Sequence, residues 1–146
     1  MPRIRTLIAD DHPEMLSALV SVLEDDPRFN VVGSAMTGGE AYRFASETPV
    51  DAVLLDVHMP DGGPATAEAM TALPRPPVVV AISAQSAPGT VEEMLRAGAV
   101  GYLSKDRVGG ALGDLVARCV AGEVVLATAA GAGTLRALIN APVRAE

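Results

Sequence analysis

Asp10, Asp11, Asp56, Ser83 and Lys105 are polar side chains that stand where apolar, β-like runs stop. Ile4–Ala9 runs into Asp10-Asp11, Val53–Leu55 into Asp56, Val78–Ile82 into Ser83, and Val100–Leu103 into Ser104-Lys105. Alone, each has an ordinary reading: an Asp after a strand forms a turn, an acidic pair caps a helix, and a lysine is solvated. Together they suggest chemistry. Three carboxylates brought close repel one another and raise each other's pKa. A hard divalent cation resolves that conflict, and Mg²⁺ takes a few carboxylates plus waters, which leaves positions for a phosphoryl oxygen. Lys105 adds a point charge suited to phosphate, and Ser83 a hydroxyl donor. Metal, ammonium and hydroxyl around a carboxylate nucleophile is what in-line phosphoryl transfer needs, because charge stabilisation is most of the work.

Positioning these groups requires that the runs be parallel strands sharing one edge. Pro13 suits the first turn of a helix, with an acidic residue or His12 before it as cap. Leu16, Leu19, Val20 and Leu23 then recur at the spacing of one helical face. Val31 and Val32 read as a short second strand closed by Gly33, and Glu40–Glu47 as a helix with Ala41, Phe44 and Ala45 inward. Thr66–Leu73 and Val91–Ala97 read as helices, the latter stopped by Gly98 in a left-handed cap. Leu112, Leu115, Val116, Cys119 and Val120 mark a fifth helix. Gly109, Gly110 and Gly113 crowd its start, each costing up to ~1 kcal/mol relative to Ala, so this helix is expected to begin late. Strand and helix alternate five times, the pattern of an α/β protein with a parallel sheet and helices on both faces. In such sheets the ligand site lies at the carboxyl ends of the strands. Val124–Leu126 is a short apolar run at the domain edge, and Thr128–Ile139 reads as a short terminal helix or the beginning of a linker.

The 146 residues suit one domain with a real core. Hydrophobic residues make up 49% and aromatics only 3%, so that core is aliphatic. A formal charge of −7 and a pI near 4.7 argue against electrostatic binding of DNA by this chain. The single cysteine, Cys119, excludes an internal disulfide, fits a reducing compartment and falls in a helical apolar pattern, as a buried structural thiol does. Neither a signal peptide nor a membrane span is visible, so a cytoplasmic protein is expected.

Asp10-Asp11, Asp56 with Met59-Pro60, Ser83-Ala84 and Gly101-Tyr102-Leu103-Ser104-Lys105, in that order and spacing, resemble the receiver domain of two-component response regulators across roughly Arg3 to Gly122. The resemblance implies a flavodoxin-like (βα)5 three-layer sandwich with a central five-stranded parallel sheet. It implies that Asp56 accepts a phosphoryl group from a sensor histidine kinase. Asp11 and Asp56 would ligate Mg²⁺, Asp10 would assist through water, and His58 would lend its backbone carbonyl. Lys105 would pair with the phosphoryl group, Ser83 would swing to bond it, and Tyr102 would turn inward, reshaping the face around the fourth helix and fifth strand. Such a domain is a regulatory phosphoacceptor rather than an enzyme, assisting its own phosphorylation and dephosphorylation.

The Asp-Asp-His-Pro, Gly-Tyr-Leu-Ser-Lys-Asp and Gly-Glu-Val-Val-Leu segments resemble the LuxR/NarL-type subfamily, whose output is a C-terminal helix-turn-helix domain. On that reading residues 1–122 are the receiver and residues 123–146 an extension or linker towards an output domain absent from this sequence, through which alone DNA would be bound. An excised receiver is favoured over a stand-alone one, and a homodimer on phosphorylation is expected. Two departures stand out. Asp106 follows the lysine where many receivers have proline, and Asp61-Gly62-Gly63-Pro64 replaces the usual entry to the third helix. Ser83 stands for the commoner threonine.

Other functions fit less well. A haloacid-dehalogenase-type phosphatase also uses an aspartyl nucleophile with Mg²⁺, but wants an acid two residues later, where this chain has His58. No Walker-type glycine loop supports a nucleotide-binding domain. A pseudo-receiver acting as an interaction module would not need the intact acidic pair, Asp56, Ser83 and Lys105. The imidazole of His58 is either a solvent-facing loop group or a shield for the water that hydrolyses an acyl phosphate. His12 belongs to the helix start rather than to a metal site.

Overall fold

The computed structural model describes residues 2–84, 88–105 and 109–127. Strands β1 (Ile4–Ala9), β2 (Phe29–Ala35), β3 (Ala52–Asp56), β4 (Val78–Ser83), β5 (Gly101–Ser104) and β6 (Val125–Ala127) form one sheet in the order β2-β1-β3-β4-β5-β6. All neighbours are parallel. Helices α1 (Pro13–Glu24), α2 (Gly38–Glu47), α3 (Pro64–Thr71), α4 (Pro88–Arg96) and α5 (Leu112–Val120) connect them.

Because side chains alternate across a strand, each central strand supplies two cores. Leu7, Ala9, Val53, Leu55, Val79, Ala81 and Tyr102 face one side, where Ala41 of α2, Ala67 and Met70 of α3, and Val91 and Met94 of α4 cover them. Ile8, Leu54, Val80, Ile82 and Leu103 face the other, against Leu19 and Leu23 of α1 and Leu112, Val116 and Cys119 of α5. This is the expected three-layer α/β sandwich. β3 is buried along its whole length, as its unbroken apolar run requires.

The structure corrects the expectation of five strands. Val125–Ala127 adds a sixth, pairing Gly101 with Val125, Tyr102 with Leu126 and Leu103 with Ala127. Val125 is buried and its amide bonds the Val100 carbonyl at 2.9 Å, so this short run extends the sheet beyond β5. The expected end of β2 at Gly33 is also corrected. The strand continues to Ala35, with a bulge where Thr6 pairs Val31 and Leu7 pairs Gly33. Gly33 serves close packing: a Cβ there would lie 2.6 Å from the Phe44 ring.

α5 begins at Leu112 after a 3₁₀ turn over Gly109–Ala111, the late start expected from its glycines. Gly113 has a packing reason as well, since a Cβ would come 2.3 Å from the Asp26 carboxylate. Gly98 takes φ +107° after α4, the left-handed cap its position suggests. The expected terminal helix or linker over Thr128–Ile139, and Asp106, lie outside the described residues. Among the described residues no helix is long and apolar enough to cross a membrane.

Candidate functional site

The carboxyl edge of the sheet gathers the five groups from four strand ends. Asp10 is fully buried beyond β1 and its amide bonds the Ala35 carbonyl at 3.0 Å, so β2 fixes where it stands. Its Oδ1 accepts the His12 backbone N–H at 2.9 Å, a local turn that directs the chain into α1. Asp11 is half-buried beside it. His12 is the N-cap residue of α1, with extended backbone ahead of Pro13, but its side chain makes no bond to the helix. It faces the acidic pair, with Nδ1 3.1 Å from Asp11 Oδ1 and 3.4 Å from Asp10 Oδ1.

Asp56 ends β3 and is 1% exposed. The His58 backbone N–H donates to its Oδ1 at 3.1 Å, and the Val57 amide bonds Ile82 of β4 at 3.1 Å, which pins the turn to the neighbouring strand. Lys105 follows β5 and reaches between two acids: its Nζ is 2.7 Å from Asp10 Oδ2 and 3.3 Å from Asp56 Oδ2. Ser83 and Ser104 are both buried and stand opposite one another in the β4–β5 register. Tyr102 is fully buried in the core under α4. His58 turns its side chain to solvent.

The electrostatics follow from this placement. Burial pushes the Asp56 carboxyl above its ordinary pKa, and the nearby Asp10 charge adds to that, while the His58 amide and the Lys105 ammonium oppose it. Burial likewise raises the Tyr102 hydroxyl, with the Ser83 side chain offsetting part of the effect. Three carboxylates thus face one ammonium. Asp10 Oδ2 and Asp11 Oδ1 are buried atoms without a well-aligned hydrogen-bond donor, even though Lys105 lies 2.7 Å from the first. One donor atom from each of Asp10, Asp11, His12 and Asp56 falls within 4.8 Å of all the others. Orphaned, clustered, acidic oxygens fit a hard divalent cation.

The loop after Pro60, left open by its unusual sequence, is held by α2. The Gly38 amide bonds the Pro60 carbonyl at 2.7 Å, and a Cβ on Gly38 would overlap the Asp61 carbonyl. Asp61 takes φ +57°, and Thr66 Oγ1 donates to its carbonyl. Gly62 passes so close beneath the site that a Cβ would lie 2.3 Å from the Asp56 carbonyl.

Asp10, Asp11, Asp56 and Lys105 meet at this edge, Ser83 ends β4, Tyr102 packs in the core under α4, and the His58 side chain faces solvent. Sequence reasoning missed two features. Ser104 was passed over beside Lys105, although strand register would have set it against Ser83. His12 was assigned to the helix start alone, although its place between Asp11 and Pro13 was the available signal. A groove of about 960 Å³ opens at the opposite, amino-terminal edge of the strands, between Arg3, Asp51 and Arg75, and is lined by none of these site residues.

Comparison with known proteins agrees with this geometry. The chain is 33% identical over 132 residues to the uncharacterized transcriptional regulatory protein YxjL of Bacillus subtilis, covering 89% of this chain and 60% of that one. It is 37% identical over 107 residues to a protein-glutamate methylesterase/protein-glutamine glutaminase of Carboxydothermus hydrogenoformans, covering 72% of this chain but 30% of the relative. The chain therefore spans about a third to three-fifths of the length of these relatives. The signal receiver domain of NarL from Mycobacterium tuberculosis superposes with a TM-score of 0.80 at 32% identity, over 84% of this chain and all of that domain. Residues 6–117 match the response regulator receiver domain, and the chain belongs to that family, as a receiver of the LuxR/NarL type.

Proposed function

We propose that Asp56 is the phosphoacceptor of this receiver and that a phosphohistidine of a sensor histidine kinase is its donor. The observation that carries the reading is the pairing of a buried, strand-end Asp56 with the Lys105 ammonium 3.3 Å from its Oδ2, beside the acidic pair. An Asp56 oxygen forms the new O–P bond as the donor's N–P bond breaks, and the released imidazole takes up a proton from solvent. The product is an acyl phosphate on Asp56.

The chain's own residues prepare that step. The His58 amide orients the Asp56 carboxylate from one side, leaving the oxygen on the Lys105 side for attack. Lys105 balances the incoming phosphoryl charge, and the Ser83 hydroxyl, one strand over, donates to a phosphoryl oxygen. Asp10, Asp11 and Asp56, with the His58 carbonyl, would hold Mg²⁺. When bound, that ion supplies charge neutralisation among the carboxylates and phosphoryl oxygens.

Tyr102 and Ser83 form the switch: a Ser83 drawn towards the phosphoryl group leaves space that Tyr102 occupies, a reading that the burial of Tyr102 supports. The α4–β5 face then changes shape and forms a homodimer contact. Residues 1–122 are the receiver, with β6 of the following segment completing its sheet, and the rest of residues 123–146 are an extension. The output is transcriptional, through a DNA-binding domain outside this chain, as the name of the B. subtilis relative suggests for that protein, and the setting is cytoplasmic. The domain is a regulatory phosphoacceptor rather than a turnover enzyme.

Incubation with Mg²⁺ and acetyl phosphate tests the reading. One phosphoryl mass is expected to appear by intact mass spectrometry and to be absent from Asp56→Asn. Repeated turnover without a labelled protein would indicate a phosphatase, and neither outcome a pseudo-receiver.

A further inference from the structure

The metal-holding role proposed for Asp10, Asp11 and Asp56 leaves one neighbouring side chain without a task. His12 makes no capping bond to α1, yet its Nδ1 lies 3.1 Å from Asp11 Oδ1 and 3.4 Å from Asp10 Oδ1. Donors about 2.1 Å from one metal centre stand about 3.0 Å apart when adjacent, so these separations match neighbouring corners of one coordination shell. The burial contrast also matters. Asp10 is fully buried, while the His12 side chain is 73% exposed, so the imidazole stands on the solvent side of the acidic cluster. Pro13 keeps the backbone of His12 extended (φ −96°, ψ 110°), which holds the ring over the pocket.

We propose that His12 is a fourth donor that sets the metal preference of this site. It provides one borderline nitrogen beside three carboxylates, so that Ni²⁺ and Zn²⁺ bind more tightly than an all-oxygen pocket would allow. Imidazole suits these ions, whereas Mg²⁺ is satisfied by carboxylate, carbonyl and water. Mg²⁺ therefore uses the carboxylates and the His58 carbonyl without the imidazole, and His12 acts only when a softer cation arrives. The ordinary alternative is that Nδ1–H simply donates to Asp11.

Calorimetric titration of untagged protein with MgCl₂ and, separately, NiCl₂ tests the proposal. His12→Ala is expected to keep Mg²⁺ affinity within about twofold and to weaken Ni²⁺ by at least about tenfold. His58→Ala, which removes the other imidazole but keeps the backbone carbonyl proposed for the metal, is expected to leave Ni²⁺ affinity unchanged. Loss of the nitrogen donor should also alter the visible absorption of the Ni²⁺-loaded protein. Equal Ni²⁺ affinity in wild type and His12→Ala overturns the proposal while leaving the phosphoacceptor reading intact, as does an equal loss in His58→Ala. Mg²⁺ binding that survives Asp11→Asn unchanged would overturn the metal site itself, and the role of His12 with it.

Discussion

Lys105 holds its ammonium 2.7 Å from Asp10 Oδ2, nearer than the 3.3 Å that separates it from Asp56 Oδ2. The lysine side chain is only 9% exposed and Asp10 not at all, so the pair is nearly desolvated. On the proposed reading Asp10 has a task beyond the metal: it holds Lys105 beside Asp56 before any phosphoryl group arrives. Lys105→Met is expected to slow acetyl-phosphate labelling of Asp56 by about 10²-fold, the scale seen when one charge-stabilising donor is removed. A double-mutant cycle of Asp10→Asn with Lys105→Met, read by urea unfolding, should give a coupling of about 1 kcal/mol or more. Coupling near zero would mean that the two charges merely lie close.

Asp56 carries a cost that its neutral isostere lacks. Burial above all disfavours its ionised form and Asp10 adds a smaller repulsion, and the His58 amide and Lys105 offset only part of that sum. Asp56→Asn should therefore stabilise the metal-free protein by about 1 kcal/mol, a rise of a few degrees in Tm measured in EDTA. Saturating Mg²⁺ should close that gap, because the cation stabilises the wild type by binding the folded state. A variant less stable than wild type in EDTA would contradict the burial argument.

The role of His58 divides between backbone and side chain. Its N–H bonds Asp56 Oδ1 at 3.1 Å, whereas the imidazole is exposed. His58→Ala keeps the amide and carbonyl, so the rate of labelling should stay within about twofold of wild type. Decay of the phosphorylated protein is the separate readout for shielding of the hydrolytic water. An unchanged decay rate reduces the side chain to a solvent-facing group.

The strand ends were legible in the sequence because β3, β4 and β5 are apolar runs cut off by one polar residue each, and parallel packing then forces those residues to one edge. Gly109, Gly110 and Gly113 also announced the late start of α5 through local propensity. What could not be read was tertiary. Gly33 resembled a strand terminator because its need to be small comes from the Phe44 ring, a neighbour eleven residues on. Val125–Ala127 is three residues long and becomes a strand only because β5 offers it an open edge. The preference of Lys105 for Asp10 depends on a distance between residues ninety-five positions apart, which no spacing rule encodes.

Two ion pairs away from the site contribute a modest stability that acid removes. Arg5 donates to both oxygens of Asp51, and Arg28 to both oxygens of Asp26, and these bonds hold both carboxyls below the usual range. A depressed folded-state pKa contributes stability that is present above the unfolded value, about 3.9 for Asp, and is lost as pH falls through the folded one. Unfolding in urea should therefore be flat from pH 7 to about 5 on account of these pairs and weaken below about pH 4. Asp51→Asn should lie below wild type at neutral pH and converge with it in acid; a gap that persisted at pH 3 would assign the loss to shape rather than charge.

Cys119 provides a probe of the α5 face. Burial pushes its thiol up to about 11, and its Sγ lies against the Val100 carbonyl at 3.8 Å and so close to Gly101 that a Cβ there would be 2.8 Å away. A thiol this protonated and this enclosed is a poor nucleophile at neutral pH. Ellman's reagent at pH 8 is expected to leave the native protein unlabelled while reacting fully in denaturant. Because Gly101 opens β5 and Cys119 lies in α5, labelling also reports whether the two separate. The expected rate on the Asp56-phosphorylated protein equals that of the resting protein if the switch is confined to the α4 side of the sheet, where Tyr102 packs. Faster labelling after phosphorylation would show that the change passes through the sheet to α5.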